Sequence, residues 1–209
     1  MALTFPSDLT TAHKWRRARL RPMLRQELSR TRGGALLAAD LGHALWTADF
    51  ESQGLPELEA GELMADFDAL GGSLRNFLAH PAHRRFPAAA ASSAGIGTGS
   101  IASIGGNRDT VTISGLPNGL VVSKGDMCSV TTAAGGYEFF EFTEGGTVSV
   151  GSTPSLGINP PLRASVTTGR SAELVDPLIE LKLEPGTLQF VEIGLGKRAV
   201  AWRAIQVIT

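Results

Sequence analysis

The sequence predicts a mainly β protein with a single α-helix, and three observations lead there. Glycine and proline are frequent, 25 and 11 of the 209 residues, so turns punctuate the chain heavily. Between the turns lie short stretches in which apolar and polar residues alternate, the period of a strand with one buried face. A single stretch, from about Pro56 to Leu70, carries the three-to-four-residue apolar spacing of a long helix.

In chain order, "WRRARLRPMLR" places Arg17, Arg19 and Arg21 on one strand face and Ala18, Leu20 and Pro22 on the other. Pro22 cannot donate to a ladder, which points to an edge or a bulge. "SRTRGGALLAADLGHALWTADFES" supplies a turn at Gly33-Gly34, an apolar run, a second turn near Asp40-Leu41-Gly42 and the alternating "HALWTADF", hence two or three further strands. Pro56 suits the first turn of the helix, and Glu57, Glu59 and Glu62 favour its positive N-terminus. Leu63, Met64, Phe67 and Leu70 form the expected buried stripe, and Gly71-Gly72 the stop. "SLRNFLAHP" then reads as a returning strand rather than more helix.

Residues 88 to 106 contain fifteen Ala, Ser or Gly out of nineteen, the composition of a flexible linker. Beyond it, "DTVTISG", "GLVVS", "MCSVTT", "YEFFEF" and "TVSVG" follow one another at the spacing of a small barrel or sandwich, with "GLPNGLVVSKGDMCSV" as strand, turn and next strand. "PLIELKLEPG" and the C-terminal "KRAVAWRAIQVIT" are longer β pieces. The expected organisation is a β-sandwich-like domain, residues 1–90 and 176–209, carrying the helix, and an inserted small β-barrel, residues 91–175.

Composition narrows the function classes. A 43% hydrophobic, 19% charged chain of net charge −1 is a folded protein with no general attraction for DNA or membranes. Its longest uncharged stretches are Ala, Gly and Ser, so no membrane span is expected. The lone Cys128 excludes an internal disulfide framework and reads as a small buried residue. The first residues lack the apolar core of a signal peptide, and assembly in a reducing cytoplasm is the expectation.

Catalytic sets are not found. His13, His43, His80 and His83 invite a metal reading, but no carboxylate or thiol near the His80/His83 pair completes it, and exposed loop histidines are expected instead. Ser123, Cys128 and Ser129 have no base at a recognisable spacing, and "GIGTGS" is followed neither by a helix signal nor by Lys-Ser or Lys-Thr. No catalytic, cofactor-binding or metal residues are therefore assigned, and no cofactor is expected. Trp46 and Trp202 read as core or interface.

One feature stands out. Lys14, Arg16, Arg17, Arg19, Arg21, Arg25, Arg30 and Arg32 face the single acid Glu27 within residues 14–32, whereas residues 49–68 hold seven acids and no base. A basic strand is compatible with nucleic acid. The compensating acidic segment makes pairing within or between subunits the more economical reading. Arg17, Arg19 and Arg21 opposite Glu57, Glu59 and Glu62 of a neighbour are the candidate interface charges.

Both halves resemble a known family. "RTRGGALLAADLGHALWTADFES", with its Trp46-Thr47-Ala48-Asp49 segment, and "ELMADFDALGGSLRNFLAHP", whose Gly72–Pro81 is shaped like "GTFLLGDP", look like the N-terminal domain of phage distal tail proteins. "LPNGLVVSKGD" and "PPLRASVTTGRSAELVDP" look like that family's "LPxGxxLxxGD" and "PPLR…GxxxxLxxP" stretches, which belong to its inserted, OB-like barrel. His80 departs from the family's usual acidic residue before the proline, and "YEFFEFTE" replaces an "LHRVVE"-like strand. The resemblance implies a structural virion protein of the tail tip or baseplate of siphophages, prophages or gene transfer agents. It implies a homohexameric ring joining tail tube protein to hub or baseplate proteins, assembled in the host cytoplasm, with DNA only in transit through the lumen and no catalysis. The alternative is a carbohydrate- or receptor-binding β module. Against it stand the few aromatics of the barrel, Tyr137, Phe139, Phe140 and Phe142, and its lack of Trp.

Overall fold

The computed structural model describes residues 5–11, 14–194 and 196–208. Mainly β with one helix, it follows the fold class the sequence predicts. The N-terminal half contributes β1 (Trp15–Met23), β2 (Gln26–Arg30), β3 (Leu36–Asp40), β4 (Leu45–Ser52), β5 (Leu55–Pro56), the helix α1 (Glu57–Ala69) and β6 (Phe77–Ala79). The middle contributes β7 (Gly99–Ile104), β8 (Thr110–Ser114), β9 (Val121–Val122), β10 (Met127–Thr131), β11 (Tyr137–Phe142), β12 (Gly146–Thr147), β13 (Leu156–Asn159) and β14 (Ser171–Glu173). β15 (Ile179–Leu183), β16 (Gln189–Gly194) and β17 (Lys197–Gln206) end the chain.

These strands form a seven-stranded sheet in the order β1-β4-β17-β15-β6, with β16 and β5 also pairing with β17. All of its strand pairings are antiparallel. β1 lies at its edge, where Pro22 is tolerated. Alternation decides the faces: Trp46, Ala48 and Phe50 of β4 and Val200, Trp202 and Ala204 of β17 are buried, while the residues between them are more exposed. On the buried side, Trp202 stacks on Phe50 with ring centroids 4.5 Å apart and meets Trp15, Phe67 and Phe77 at 5.9, 5.7 and 5.3 Å.

The helix docks on the same side through Ala60, Leu63, Phe67 and Leu70. Met64, expected in this stripe, is 38% exposed. The buried positions advance by three, four and three residues, and Met64 lies about 100° around the helix from Leu63, clear of the sheet.

β10, β11, β13, β8, β7 and β14 close into a barrel of six strands, one more than the five of an OB-fold. Its core draws residues from Phe86 to Val175, including Ile101, Ile113, Val130, Phe140 and Phe142. The expectation of a flexible linker over 88–106 is corrected here. Gly99–Ile104 is the barrel strand β7, paired with both β8 and β14. Gly99 is required by contact, since a Cβ there would lie 2.6 Å from Ile113 Cγ2 and 2.9 Å from the Ser114 carbonyl oxygen. Only residues 88–95 keep the exposed, small-residue character of a connector. Arg108, at the turn between β7 and β8, donates to the carbonyls of Leu162, Arg163 and Val166 and so pins the loop before β14.

The two cores meet at β11. Phe140 and Phe142 point into the barrel, whereas Phe139 packs into the core of the large sheet. The Trp46 indole N–H donates to the Phe139 carbonyl at 2.8 Å, and the two rings meet edge to face at 5.0 Å. Asp126 ties the connector to the barrel by accepting from the backbone N–H of Ala88 and of Ser123.

Phe67→Ala is expected to cost about 3–5 kcal/mol in denaturant unfolding. Met64→Ala should stay within about 0.5 kcal/mol of wild type. Limited proteolysis between the cores is expected to cut within 88–95 and to leave 99–104 intact, as N-terminal sequencing of the fragments would reveal.

Candidate interaction surfaces

The chemistry-bearing residues are placed mainly in structural roles. His80, expected on an exposed loop, is instead buried beside the bridge that joins residues 7–9 to β6. Thr10 gives its hydroxyl proton to Asp8 Oδ1, at 2.8 Å, and its oxygen accepts from the His80 backbone N–H at 3.1 Å. His80 Nδ1 lies 2.9 Å from that same oxygen and 3.1 Å from Asp8 Oδ2, so Nδ1 carries the proton and donates. With threonine and carboxylate on one ring nitrogen, the histidine is no base for the hydroxyl. Burial opposes the charge on Asp8. Hydrogen bonds from His80, Thr11 and Thr10 outweigh it and hold the carboxyl well below the usual range.

His83 is exposed, and His13 lies outside the described residues. His43 Nε2 sits 3.4 Å from Glu138 Oε1. Glu138 is buried on the barrel and also takes Arg163 Nε at 2.5 Å, so this trio spans the junction between sheet and barrel. Ser129 Oγ accepts the Leu178 N–H, and burial pushes the Cys128 thiol up, with Glu173 adding to the effect. Among the described residues, no three His, Cys, Asp or Glu side chains gather as a metal site, and no helix is long and apolar enough to cross a membrane. The barrel phenylalanines are buried, which leaves half-buried Tyr137 as its most accessible aromatic.

What the molecule presents outward is charge and leucine. Cross-strand pairing sets Arg19, Asp49 and Arg203 in one row across β1, β4 and β17, with Arg17, Glu51 and Ala201 on one side and Arg21, Thr47 and Ile205 on the other. All nine lie on the sheet face opposite the Trp202 core. Arg17, Arg19, Arg21, Asp49, Glu184 and Arg203 line a shallow depression there. Arg17 pairs with Asp49 at 2.7 Å and Arg16 with Glu51 at 3.6 Å, so these two acids of segment 49–68 are neutralised on this face of the chain. The guanidinium groups of Arg19, Arg21 and Arg203 have no ion-pair or hydrogen-bond partner among the described residues.

The acids of α1 lie on the other side of the sheet. Glu57 reaches Arg198 at 3.3 Å. Glu59 and Glu62 are exposed and unpaired among the described residues, as are Asp66 and Asp68 apart from partial burial of Asp66. The sequence thus identified both charged groups, and the fold keeps them apart within one chain.

A third surface had no signal beyond its strands. β2 and β3 prolong the β1–β4 pair into a two-stranded arm, with Leu41 N–H bonded to the Arg25 carbonyl at the joint. All ten residues of β2 and β3 are exposed. Leu24, Leu28, Leu36, Leu37 and Leu41 are each 57–64% accessible. An isolated two-stranded hairpin is marginally stable, and a leucine-rich one facing water on both sides lacks the layer that would hold it. The sequence matches no protein-family model and no curated protein.

Asp8→Asn is expected to destabilise the protein at pH 6 and to do so by a somewhat smaller amount at pH 3. A depressed carboxyl contributes stability that is full above its unfolded pKa, about 3.9, and that is lost progressively as pH falls from there through the depressed folded value. Urea unfolding of both proteins at the two pH values measures this. Cys128 is expected to resist iodoacetamide in the native protein and to react once unfolded, with mass spectrometry as readout.

Proposed function

We propose that this protein is a structural subunit of a phage or phage-like tail tip, which associates through its sheet domain into a ring between the tail tube and the hub. Its partners are further copies of itself and the adjoining tail proteins, and its place is the virion. The reading assigns no reaction, metal or cofactor to the chain.

The observation that carries it is the arm. Five exposed leucines on a ribbon with no supporting layer gain their free energy only when another surface covers them, each leucine contributing about 1.5–3 kcal/mol on full burial. A ring satisfies that need for every copy alike, because head-to-tail contact gives each arm a neighbour. The family-like stretches in the sheet domain and in the barrel support the same assignment. No exposed aromatic platform on the barrel favours carbohydrate binding.

Native mass spectrometry and negative-stain microscopy of the purified protein are expected to show closed rings of one size. Leu28→Asp with Leu37→Asp places a charge on each face of the arm. It should weaken association about 100-fold or more, two lost leucine burials, while the melting temperature of the subunit stays close to wild type. A wild type that remains monomeric at high concentration would overturn the proposal.

A further inference from the structure

Resting on the ring reading, we infer that the basic face of the large sheet is the docking site for helix α1 of the next copy, with Arg19, Arg21 and Arg203 meeting Glu59, Glu62 and their acidic neighbours. Three observations combine. Among the described residues, the guanidinium groups of Arg19, Arg21 and Arg203 are unpaired on one exposed sheet face, within a depression that also holds Glu184 and the Arg17–Asp49 pair. The exposed side of α1 carries only acids as its charged residues and has no basic residue in its last turn. The two surfaces stand on opposite sides of one sheet, because Trp202, which packs against Phe67 of the helix, and Arg203 are consecutive residues of β17.

That last point fixes the geometry. Opposite sides of one sheet cannot meet in the same copy, and one neighbour related by a two-fold axis cannot cover both at once. Each complementary pair must therefore join different copies head to tail, the arrangement that closes into rings. Leu58, 75% exposed beside Glu59, and Met64 give the acidic surface an apolar component that the aliphatic stems of Arg19 and Arg21 can cover. Nucleic acid is the other class that such a basic face can take. With a net charge of −1 there is no long-range attraction for a polyanion, and the complementary surface is already present in every copy.

The experiment uses two variants of the full chain. One carries Arg19→Glu and Arg21→Glu, and the other Glu59→Lys and Glu62→Lys. All four positions are exposed, and melting temperatures would verify that both variants fold. Sedimentation velocity in about 50 and 500 mM salt reads association. Each variant alone is expected to associate about tenfold or more weakly than wild type, and wild-type association to weaken as salt rises. An equimolar mixture places a reversed sheet face against a reversed helix at alternate interfaces and the native pair at the others. It should recover association to within about threefold of wild type as mixed assemblies with even copy numbers, visible by native mass spectrometry.

A mixture no stronger than its components, or single variants that assemble like wild type, would overturn the inference. Wild-type-like assembly of the arginine variant, with lost retention of a labelled DNA oligonucleotide, would assign the face to nucleic acid instead. The ring proposal is judged separately: rings that depend on Leu28 and Leu37 but ignore both charge reversals leave it standing, whereas a monomeric wild type ends both.

Discussion

The sheet domain depends on the aromatic packing around Trp202. This side chain comes from the last strand of the chain yet touches rings from β1, β4, α1 and β6, so one residue near the C-terminus joins four elements of the N-terminal half. Aromatic pairs of this kind add about 0.5–1.5 kcal/mol each beyond the area they bury. The indole Nε1 is buried without a hydrogen-bond partner among the described residues, a cost of about 1–3 kcal/mol that the surrounding rings must exceed. β17 provides the backbone frame for this cluster, since β4, β5, β15 and β16 all pair with it.

The sheet core combines residues of the N-terminal half with residues 179–206, and the barrel lies between these two segments in sequence. Phe139 is where the two cores meet. It sits in a strand whose next residue, Phe140, faces the barrel interior, while its own ring and carbonyl engage Trp46. His43, Glu138 and Arg163 add a polar clasp at the same junction. The barrel is therefore inserted in sequence but shares a wall with the sheet, and a connector of some eight small residues is enough to join them. Long-range pairing of this kind makes folding slow relative to its stability.

The strand alternation of β1 and β4, the single helix and the inward placement of Trp46 and Trp202 were legible in the sequence because each follows a period that one residue's neighbours reveal. Arg17, Arg19 and Arg21 fall on one face as their spacing requires. The failures have physical causes of a different kind. The run 88–106 reads as a linker because its small residues are also what close packing demands. Gly99 is small because Ile113 and the Ser114 carbonyl leave no room, and Ile101 is fully buried while Ile104 packs against the same core. His80 is buried because Asp8 and Thr10, some seventy positions earlier, satisfy it, and no local pattern announces such a pairing. Met64 was misplaced since an apolar residue on a helix says nothing of how wide a stripe the partner sheet can cover. The candidate charges were visible as two opposite runs; that they occupy opposite sides of one sheet is a consequence of topology alone.

In the proposed ring, stability and association draw on separate sets of residues. The aromatic side chains are almost all spent inside the two cores, and the outward surfaces are left with leucines on a ribbon and charges on a sheet and a helix. A single contact made from these is modest, since exposed ion pairs contribute about 0–1 kcal/mol and the arm must also lose conformational freedom when it docks. Closure changes the arithmetic. In an open chain a terminal copy leaves by breaking one interface, whereas in a closed ring any copy must break two, and once one contact holds, the second forms at the high effective concentration of a tethered partner. In the proposed ring, weak surfaces on opposite sides of one sheet would thus give an assembly that is stable only when complete, with the Trp202 cluster holding the two sides of that sheet in register within each copy.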